Sequence, residues 1–301
     1  MGGGSGSSKF VRSLDKNLST AVEPIFVPNI GDNFWHYGLY ICPDVDITLY
    51  ALSSMLDKTK GWGIAGDTMN FVQSYAVLCP EESWFNLGDR DLSFSVRRTE
   101  LLKQGYTLSE ITNDLRKRLK IRRLVMIPSN DSVETFITTP EGTIHLQEFW
   151  VKNRGVQKVL RVSHKGAATA KTNPELAKMK IDSFLLLPAN PISSIVPTIS
   201  LKDLKSKLRH SRVVAISPFV GRKAFSGPAA KFMRACDLEP SSFGVAKLYS
   251  SFLKTLFVDL KEERQVIRKV SELGIECVET NIMMRSAEDE KRIVNEIESV
   301  L

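Results

Sequence analysis

The sequence alternates short apolar runs with amphipathic segments along most of its length. Ser183–Leu187, Val213–Ser217 and Leu256–Val258 have the length of buried strands. Parallel strands that are buried on both faces read as continuous apolar runs and need crossover helices between them. The alternation therefore predicts an α/β fold, a Rossmann-like three-layer core around a mainly parallel sheet. With 301 residues, the chain is long enough for such a core and a small insertion.

A second stretch of the chain has a different pattern. Leu92–Lys120 predicts two helices and no strand, and Thr107 and Glu110 have the spacing of a capping box at the second helix. We therefore assign 59–120 to a mostly helical insertion that contributes to the acceptor site, and 1–58 and 121–301 to the core. The other predicted elements are helices at Lys9–Leu18, Ile47–Asp57, Ala229–Ala235, Glu262–Leu273 and Glu288–Leu301, strands at Pro24–Val27 and Arg123–Ile127, and a hairpin of Thr135–Thr138 with Thr143–Glu148.

The bulk properties favour a soluble protein with an anionic ligand. A net charge of +7 suits a nucleotide or a phosphorylated metabolite. The basic run Arg116–Arg123 lacks interleaved aromatic residues, which favours a solvated face over nucleic-acid binding. The four cysteines have neither disulfide-scaffold nor zinc-site spacing. No apolar stretch approaches the length of a membrane helix and no leader is visible, so we predict a cytoplasmic location.

A glycine- and serine-rich run, Gly2–Ser8, ends in Lys9 and leads into the first predicted helix. Glycine lets the backbone approach a ligand closely, and free amides at a helix N-terminus attract phosphate. The run lacks the spacing and the Lys-Ser/Thr pair of a Walker A loop. A flexible linker explains the same residues equally well, so both interpretations stay open.

Two acidic residues, Asp44 and Asp46, are separated by one residue before a predicted helix. In extended backbone, carboxylates at this spacing point the same way and reach one hard cation such as Mg²⁺. Asp32 offers a third carboxylate upstream. The alternative is a helix N-cap at Asp46 with no metal, and the spacing alone does not decide between the two.

Three loops carry further candidate ligand contacts. Arg90 lies between Asp89 and Asp91 after a glycine, which indicates either a guanidinium that binds phosphate or a surface turn with a local ion pair. Asn190 and Ser194 follow a predicted strand, at the end where open α/β sheets bind ligands. Ser226–Lys231 opens a helix with a lysine in its first turn, which suits an anion. The alternative for Asn190 and Ser194 is a rigid loop that binds no ligand. The alternative for Ser226–Lys231 is an ordinary strand-to-helix connection with its lysine in solvent.

Taken in order, these motifs resemble the 2-phospho-L-lactate transferase (CofD-like) family of coenzyme F-420 biosynthesis. The resemblance covers nearly the whole chain, from Gly3 to about Met284. Each motif alone is weak evidence for the family, whereas the whole set in this order is strong evidence. The further segments that carry it are Asn29–Asp32, Gly38-Leu39, Gly61–Ile64, Asp67-Thr68, Gln147–Trp150, Asn190–Ile192 with Ser194-Ile195, and Gly244–Ala246.

The resemblance implies a transferase that uses Mg²⁺. The ribityl hydroxyl of 7,8-didemethyl-8-hydroxy-5-deazariboflavin attacks the phosphate of a guanosine-diphosphate-linked donor that carries a lactyl or enolpyruvyl group, and GMP leaves. Asp44, Asp46 and Arg90 are then catalytic, and Asp44 and Asp46 hold the metal. The implied acceptor contacts are Asp46, Arg90, Asp89, Trp35 and Trp62, and the implied donor contacts are Gly3, Gly4, Gly6, Lys9, Asn190, Ser194 and Lys231. The family also suggests a homodimer.

Three positions depart from the family pattern. The family has a short apolar strand before the glycine loop, where this sequence has only Met1. Ser95 stands where the family usually has histidine, and Val196 stands where it usually has glycine. Two other classes remain as hypotheses. One is a non-catalytic regulator of carbon metabolism that binds nucleotide sugars, and tight UDP-sugar binding without turnover would identify it; the other is a nucleic-acid-binding protein.

Overall fold

The computed structural model describes residues 1–221, 223–225 and 227–301. Ser226, which the sequence analysis placed in a candidate anion loop, lies outside the described residues. The helices are α1 Gly4–Asn17, α2 Pro43–Leu52, α3 Asn70–Leu78, α4 Asp89–Lys103, α5 Leu108–Arg118, α6 Pro174–Lys178, α7 Val196–Ile199, α8 Lys202–His210, α9 Ala229–Ala235, α10 Ser242–Tyr249, α11 Arg264–Glu272 and α12 Ala287–Glu298. Single π-helical turns lie at Glu148–Lys152 and Pro191–Ile195.

The strands build parallel and antiparallel sheets. They are β1 Ile25–Phe26, β2 Phe34–His36, β3 Leu39–Ile41, β4 Leu124–Val125, β5 Glu134–Thr139, β6 Gly142–His145, β7 Arg161–Lys165, β8 Ser183–Leu186, β9 Arg212–Ile216, β10 Phe219–Val220, β11 Lys223–Ala224, β12 Thr255–Asp259 and β13 Glu276–Thr280. A four-stranded parallel sheet has the order β13-β12-β9-β8, and β1 and β4 form a parallel pair. The antiparallel pairs are β2 with β3, β10 with β11, and β5 with both β6 and β7. The prediction of a mixed α/β fold with parallel strands is confirmed.

Apolar burial explains why the predicted strands form the sheet. Every residue of β12 is buried, and Val213, Val214, Ala215 and Ile216 in β9 are also buried. Removing such side chains from water stabilises the fold by about 25 cal/mol per Å² of apolar surface. The central strands are thus the continuous apolar runs that the sequence shows.

Met1 and Gly2 connect the two parallel sheets. The Met1 amino group donates to the Leu185 carbonyl at 2.7 Å, and the Leu187 amide donates to the Met1 carbonyl at 2.9 Å. On the other side, Gly2 pairs in parallel with Pro28, and its amide donates to the Val27 carbonyl at 3.3 Å. Two residues therefore occupy the position of a central strand between β8 and β1.

A slot continues this short strand in the N-terminal direction. It has a volume of about 390 Å³ and is lined by apolar residues that include Leu14, Ile25, Val27 and Leu185. Hydrogen bonds alternate in direction along a parallel ladder, so the backbone groups of Ile25 and Leu185 face the slot. Burial of the Met1 amino group lowers its pKa to about 5. The slot thus has apolar walls and runs between the backbones of β1 and β8, which suits a chain in extended conformation.

Lengthening the chain with Met-Ile-Ile-Val ahead of Met1 is expected to raise the free energy of unfolding by about 2 kcal/mol, because added backbone hydrogen bonds and apolar burial stabilise the fold. The amino group's pKa falls on folding, so the unextended chain loses stability as the pH falls from about 8 to about 5. The extension removes that loss. Urea denaturation at pH 7 and pH 5 measures both effects. A chain extended with Met-Gly-Ser-Gly is the control, and equal stability of the two extended chains would contradict the expectation.

The regular secondary structure of the insertion 59–120 is helical. It contains α3, α4 and α5, and no strand is formed in this fully described stretch. Thr107 and Glu110 form the predicted capping box at α5. The domain boundaries themselves stay a prediction.

Several predicted element bounds need correction. The first helix begins at Gly4, well before the predicted Lys9, because the glycine and serine residues form its first turns. The second helix is Pro43–Leu52 and not Ile47–Asp57, because Pro43 is compatible with the first helical turn. The stretch 152–180, to which we assigned no element, holds β7 and α6. In the described part of the chain, no helix is long and apolar enough to cross a membrane.

Candidate functional site

A large cavity opens at the carboxyl ends of the parallel strands. Its volume is about 670 Å³, and loops that follow β8, β1 and the Met1–Gly2 segment meet there. This edge is where open α/β sheets bind ligands. The residues that line it are Gly3, Gly4, Ser5, Gly6, Asp32, Pro43, Asp44, Ile47, Lys60, Trp62, Phe85, Asn86, Leu146, Gln147, Trp150, Val151, Arg154, Ala189, Asn190, Ser193, Ser194, Gly227 and Pro228.

The first turn of α1 forms one wall of the cavity. Gly4 adopts a φ of +71°, which a residue with a side chain rarely adopts. Its amide donates to Asp44 Oδ1 at 2.6 Å. The amides of Ser5 and Gly6 belong to the first turn, where a helix offers no internal acceptor. The predicted glycine loop therefore presents free amide donors at a helix N-terminus, and the Gly3, Gly4 and Gly6 positions all reach the cavity.

Two carboxylates beside this turn share one side-chain amide. Asn29 Nδ2 donates to Asp32 Oδ1 and to Asp44 Oδ2, at 2.9 Å in each case. Burial raises the pKa of Asp44 to about 6, against the hydrogen bonds from Asn29 and Gly4. Burial, followed by the negative charge of Asp44, raises the pKa of Asp32 well above its usual value. The pair thus concentrates negative charge with no cationic side chain bound to it among the described residues.

Asn190 lies at the end of β8 and organises the loop that follows. Its Oδ1 accepts from the amides of Ile192 and Ser193 at 3.1 Å and 3.3 Å. Its Nδ2 is buried and finds no partner in the described residues. An unpaired buried donor of this kind costs free energy unless a ligand binds it. Ser194 lies in the same π-helical turn and also lines the cavity.

Asp46 faces a different environment from Asp44. Its carboxylate is bound by the guanidinium of Arg98, which is fully buried and also donates to the Tyr40 carbonyl at 3.2 Å. The prediction that Asp44 and Asp46 point the same way from extended backbone is wrong. Both residues lie in the first turn of α2, and side chains two apart on a helix do not face each other.

A small annex lies beside the main cavity. It has a volume of about 60 Å³ and shares Pro43, Ile47, Trp62, Phe85 and Asn86 with the main cavity's lining. Its other walls include Asp46, Tyr50 and Asp91. The Tyr50 hydroxyl donates to Asp91 Oδ1 at 2.7 Å. Burial, followed by the negative charge of Asp46, raises the pKa of Asp91 to about 7, although the Tyr50 hydrogen bond lowers it.

The structure places Asp89 and Arg90 away from the cavity lining. Asp89 accepts hydrogen bonds from Thr68, from the backbone and side chain of Asn70 and from the amide of Phe71, so it fixes the start of α3. These bonds lower the pKa of Asp89 to about 2. Arg90 is exposed, and its guanidinium donates to the Ala65 carbonyl at 3.3 Å. Both residues belong to the first turn of α4, so they form the start of a helix and not the surface turn that the sequence analysis gave as the alternative.

Three other predicted contacts also lie outside the lining. The Lys9 ammonium donates to the Met284 carbonyl, and the Lys231 ammonium donates to the Gly155 and Val156 carbonyls. Trp35 is exposed and packs on Tyr40. Trp62 lines both the cavity and the annex, and its role as an acceptor contact stays a prediction.

Sequence reasoning missed several lining residues. Lys60 and Arg154 supply the cationic side chains, and Trp150 and Phe85 supply aromatic surface. Lys60 lies in a turn, with its ammonium 5.6 Å from the Trp62 ring centre. Arg154 adopts a φ of +54° just after a π-helical turn. The Gln147–Trp150 motif was the only sequence signal near Arg154.

The departures from the family pattern have clear structural consequences. Ser95 is buried, and its hydroxyl has no partner among the described residues. Val196 begins α7, directly after the π-helical turn Pro191–Ile195. Met1–Gly2 fills the central position where the apolar strand was expected.

The fold and the cavity define an α/β protein with a candidate ligand site at the carboxyl edge of its parallel sheet. The family model described as 2-phospho-L-lactate transferase CofD matches residues 1–296. A 2-phospho-L-lactate transferase from Methanococcoides burtonii is 37% identical over 300 residues, covering 99% of this chain and 97% of the relative. One from Methanopyrus kandleri is 33% identical over 300 residues, covering 99% and 95%.

Solved structures agree on the fold. A crystal structure of a UPF0052 family protein from Bacillus halodurans superimposes with a TM-score of 0.65 at 14% identity, covering 99% of this chain and 96% of that one. At that identity the likeness concerns the fold alone. The family match extends over nearly the whole chain, and this chain belongs to the 2-phospho-L-lactate transferase CofD family.

Proposed function

We propose that this protein transfers a phospho-lactyl or phospho-enolpyruvyl group from a guanosine-diphosphate-linked donor to the ribityl hydroxyl of 7,8-didemethyl-8-hydroxy-5-deazariboflavin, with release of GMP. One observation carries the proposal. The α1 N-terminus and the buried Asp32–Asn29–Asp44 cluster line the same cavity side by side, joined by the hydrogen bond from the Gly4 amide to Asp44. Membership in the CofD family supports the same reaction.

The donor's diphosphate suits the α1 wall. Amides at a helix N-terminus and the helix dipole both favour an anion. Asn190 Nδ2 adds a buried donor without a partner, and Lys60 and Arg154 add positive charge at the rim of the cavity. Hydrogen bonds aimed at the phosphate oxygens stabilise the charge that develops during transfer.

The chemistry of the donor set fits a divalent cation at Asp32 and Asp44. Burial, followed by the negative charge of Asp44, raises the pKa of Asp32, so a cation there would stabilise the charged form of both carboxylates. Mg²⁺ prefers oxygen ligands from one or two carboxylates together with substrate phosphates. When bound, the ion neutralises phosphate charge. No described group of three or more His, Cys, Asp or Glu residues is placed to hold a metal unaided. In the proposed site, the substrate phosphates supply the remaining metal ligands. We therefore propose Asp32 in place of Asp46 as the partner of Asp44.

The acceptor's flat ring suits the aromatic side of the cavity. Trp62, Phe85 and Trp150 line that side, and Trp62 and Trp150 are about 40% exposed, so they offer accessible ring surface. In the transfer, the acceptor oxygen forms a bond to the phosphorus that carries the small acid. The bond from that phosphorus to the bridging oxygen breaks, and GMP leaves with the electron pair. Positioning and charge stabilisation account for the rate.

A turnover assay tests the proposal. Purified protein with Mg²⁺, the deazaflavin and either lactyl- or enolpyruvyl-diphosphoguanosine is expected to release one GMP for each acceptor modified, as chromatography and mass spectrometry would show. UDP-sugars are included as the competing ligand class. Folded protein that binds a UDP-sugar tightly and releases no GMP from either donor would overturn the proposal in favour of a regulator.

A further inference from the structure

We infer that Asp91 is the catalytic base of this transfer, and that its second carboxylate oxygen takes the proton of the acceptor hydroxyl in the annex. This inference rests on the proposed function. It assigns a role to a residue for which the sequence analysis offered none beyond its place beside Arg90.

The position of Asp91 carries the first step of the argument. Asp91 lies in the first turn of α4, and its side chain lines the annex together with Tyr50 and Asp46. Tyr50 occupies Oδ1, whereas Oδ2 accepts no hydrogen bond from any described residue. Asp67 accepts from the Asp91 amide at 3.0 Å and so holds the backbone in place. One oxygen is fixed and the other is free to accept a proton.

The size of the annex selects the group that enters it. A volume of about 60 Å³ is less than half of the ~150 Å³ of a cavity that binds benzene. It admits the hydroxyl-bearing end of a flexible chain and excludes an aromatic ring. The annex opens beside Trp62 and Phe85, which also line the main cavity. A ring stacked there would place its polyol chain toward Asp91.

The neighbouring carboxylates are committed to other partners. Arg98 binds Asp46, and Gly4 and Asn29 bind the two oxygens of Asp44. The charged and titratable groups that face Asp91 are Tyr50 and Asp46 on α2, Arg98 on α4 and Asp67 in the loop before α3. With a pKa of about 7, Asp91 is matched to proton transfer near neutral pH. Asp91 is thus the annex carboxylate that no cation holds.

The step balances as follows. The O–H bond of the acceptor breaks and its proton moves to Asp91 Oδ2, while the oxygen lone pair forms the new bond to phosphorus. The bond between phosphorus and the GMP oxygen breaks, and GMP leaves as an anion. The protonated Asp91 then returns its proton to solvent. No oxidant or reductant takes part.

Rapid-quench single-turnover rates across pH 5.5–9 test the inference. Wild-type rates are expected to fall below about pH 7, because protonation removes the base. Asp91→Asn is expected to lower the rate about 100- to 1000-fold and to remove the fall in rate on the acidic limb of the pH–rate profile, with donor affinity unchanged. Tyr50→Phe keeps the carboxylate but removes a hydrogen bond that lowers its pKa, so the limb is expected to move up by about one pH unit.

The controls separate this inference from the proposed reaction. Thermal melts and equilibrium binding of the donor establish that each variant is folded. Wild-type protein that releases no GMP at any pH would refute the reaction itself. Wild-type turnover with an Asp91→Asn rate within threefold of it, or with a limb that Tyr50→Phe leaves in place, would overturn the role of Asp91 while the reaction stands.

Discussion

Asp44→Asn is expected to lower kcat/KM for GMP release by about 100- to 1000-fold, the range found when a group that stabilises transition-state charge is lost. Asp44 Oδ2 accepts from Asn29 at 2.9 Å. An amide nitrogen in place of Oδ2 would meet the Asn29 donor and would halve the negative charge of the Asp32–Asp44 pair. Steady-state assays over a range of Mg²⁺ concentrations measure the effect, and the Mg²⁺ needed for half-maximal rate is expected to rise.

The control for this variant is Asp203→Asn. Asp203 occupies the second position of α8, as Asp44 occupies the second position of α2, but Asp203 is exposed and does not line the cavity. Its substitution is expected to leave turnover unchanged. Gly3→Ala is a second probe, because a Cβ at Gly3 would overlap the Asp44 carboxylate and lie 2.9 Å from Asn29 Cβ. If Asp44→Asn retained more than a third of wild-type activity, the proposed role of this carboxylate would be wrong.

Arg98→Met is expected to lower the free energy of unfolding by about 3–5 kcal/mol, because it leaves the buried Asp46 carboxylate without its cation. Arg98 is fully buried and Asp46 is 3% exposed, so water does not replace the lost partner. Urea denaturation at pH 7, followed by circular dichroism, measures the change.

The double variant Arg98→Met with Asp46→Leu provides the comparison. Replacing both members of a buried ion pair with apolar residues is often neutral or stabilising, so most of the lost stability is expected to return. Arg97→Met is the matched surface control, because Arg97 pairs with the exposed Glu100 at 2.9 Å, and such surface pairs contribute little to stability. An Arg98→Met loss below about 1 kcal/mol would show that the ion pair has no structural role.

The sequence predicted the core of the fold because burial on both faces leaves a direct pattern. The middles of β9 and β12 are apolar, at Val213–Ile216 and Leu256–Val258, and the structure pairs the two strands in parallel as expected. The capping box at Thr107 and the hairpin at β5 and β6 also have local chemical causes, and both are confirmed. β7 is half-exposed and lacks such a pattern, so its pairing with β5 depends on contacts that are distant in sequence.

The candidate site was less predictable, because side-chain direction depends on backbone conformation. The glycine run, Asn190 and Ser194 reach the cavity as the motifs indicated. The same motif logic placed Lys9 and Lys231 at the donor, yet their long side chains bind carbonyls elsewhere. Asp44 and Asp46 were paired by spacing, whereas the helix separates them and the fold brings Asp32 to Asp44 through Asn29.

The Met1–Gly2 segment bears on how the chain folds. Met1 hydrogen-bonds to Leu185, across 184 positions of sequence, and closing so large a loop is slow because its entropy is lost before the contact forms. During synthesis the first residues emerge from the ribosome long before β8 exists. The centre of the parallel sheet is therefore completed late in translation, after the helical stretch 59–120 has had time to fold on its own contacts.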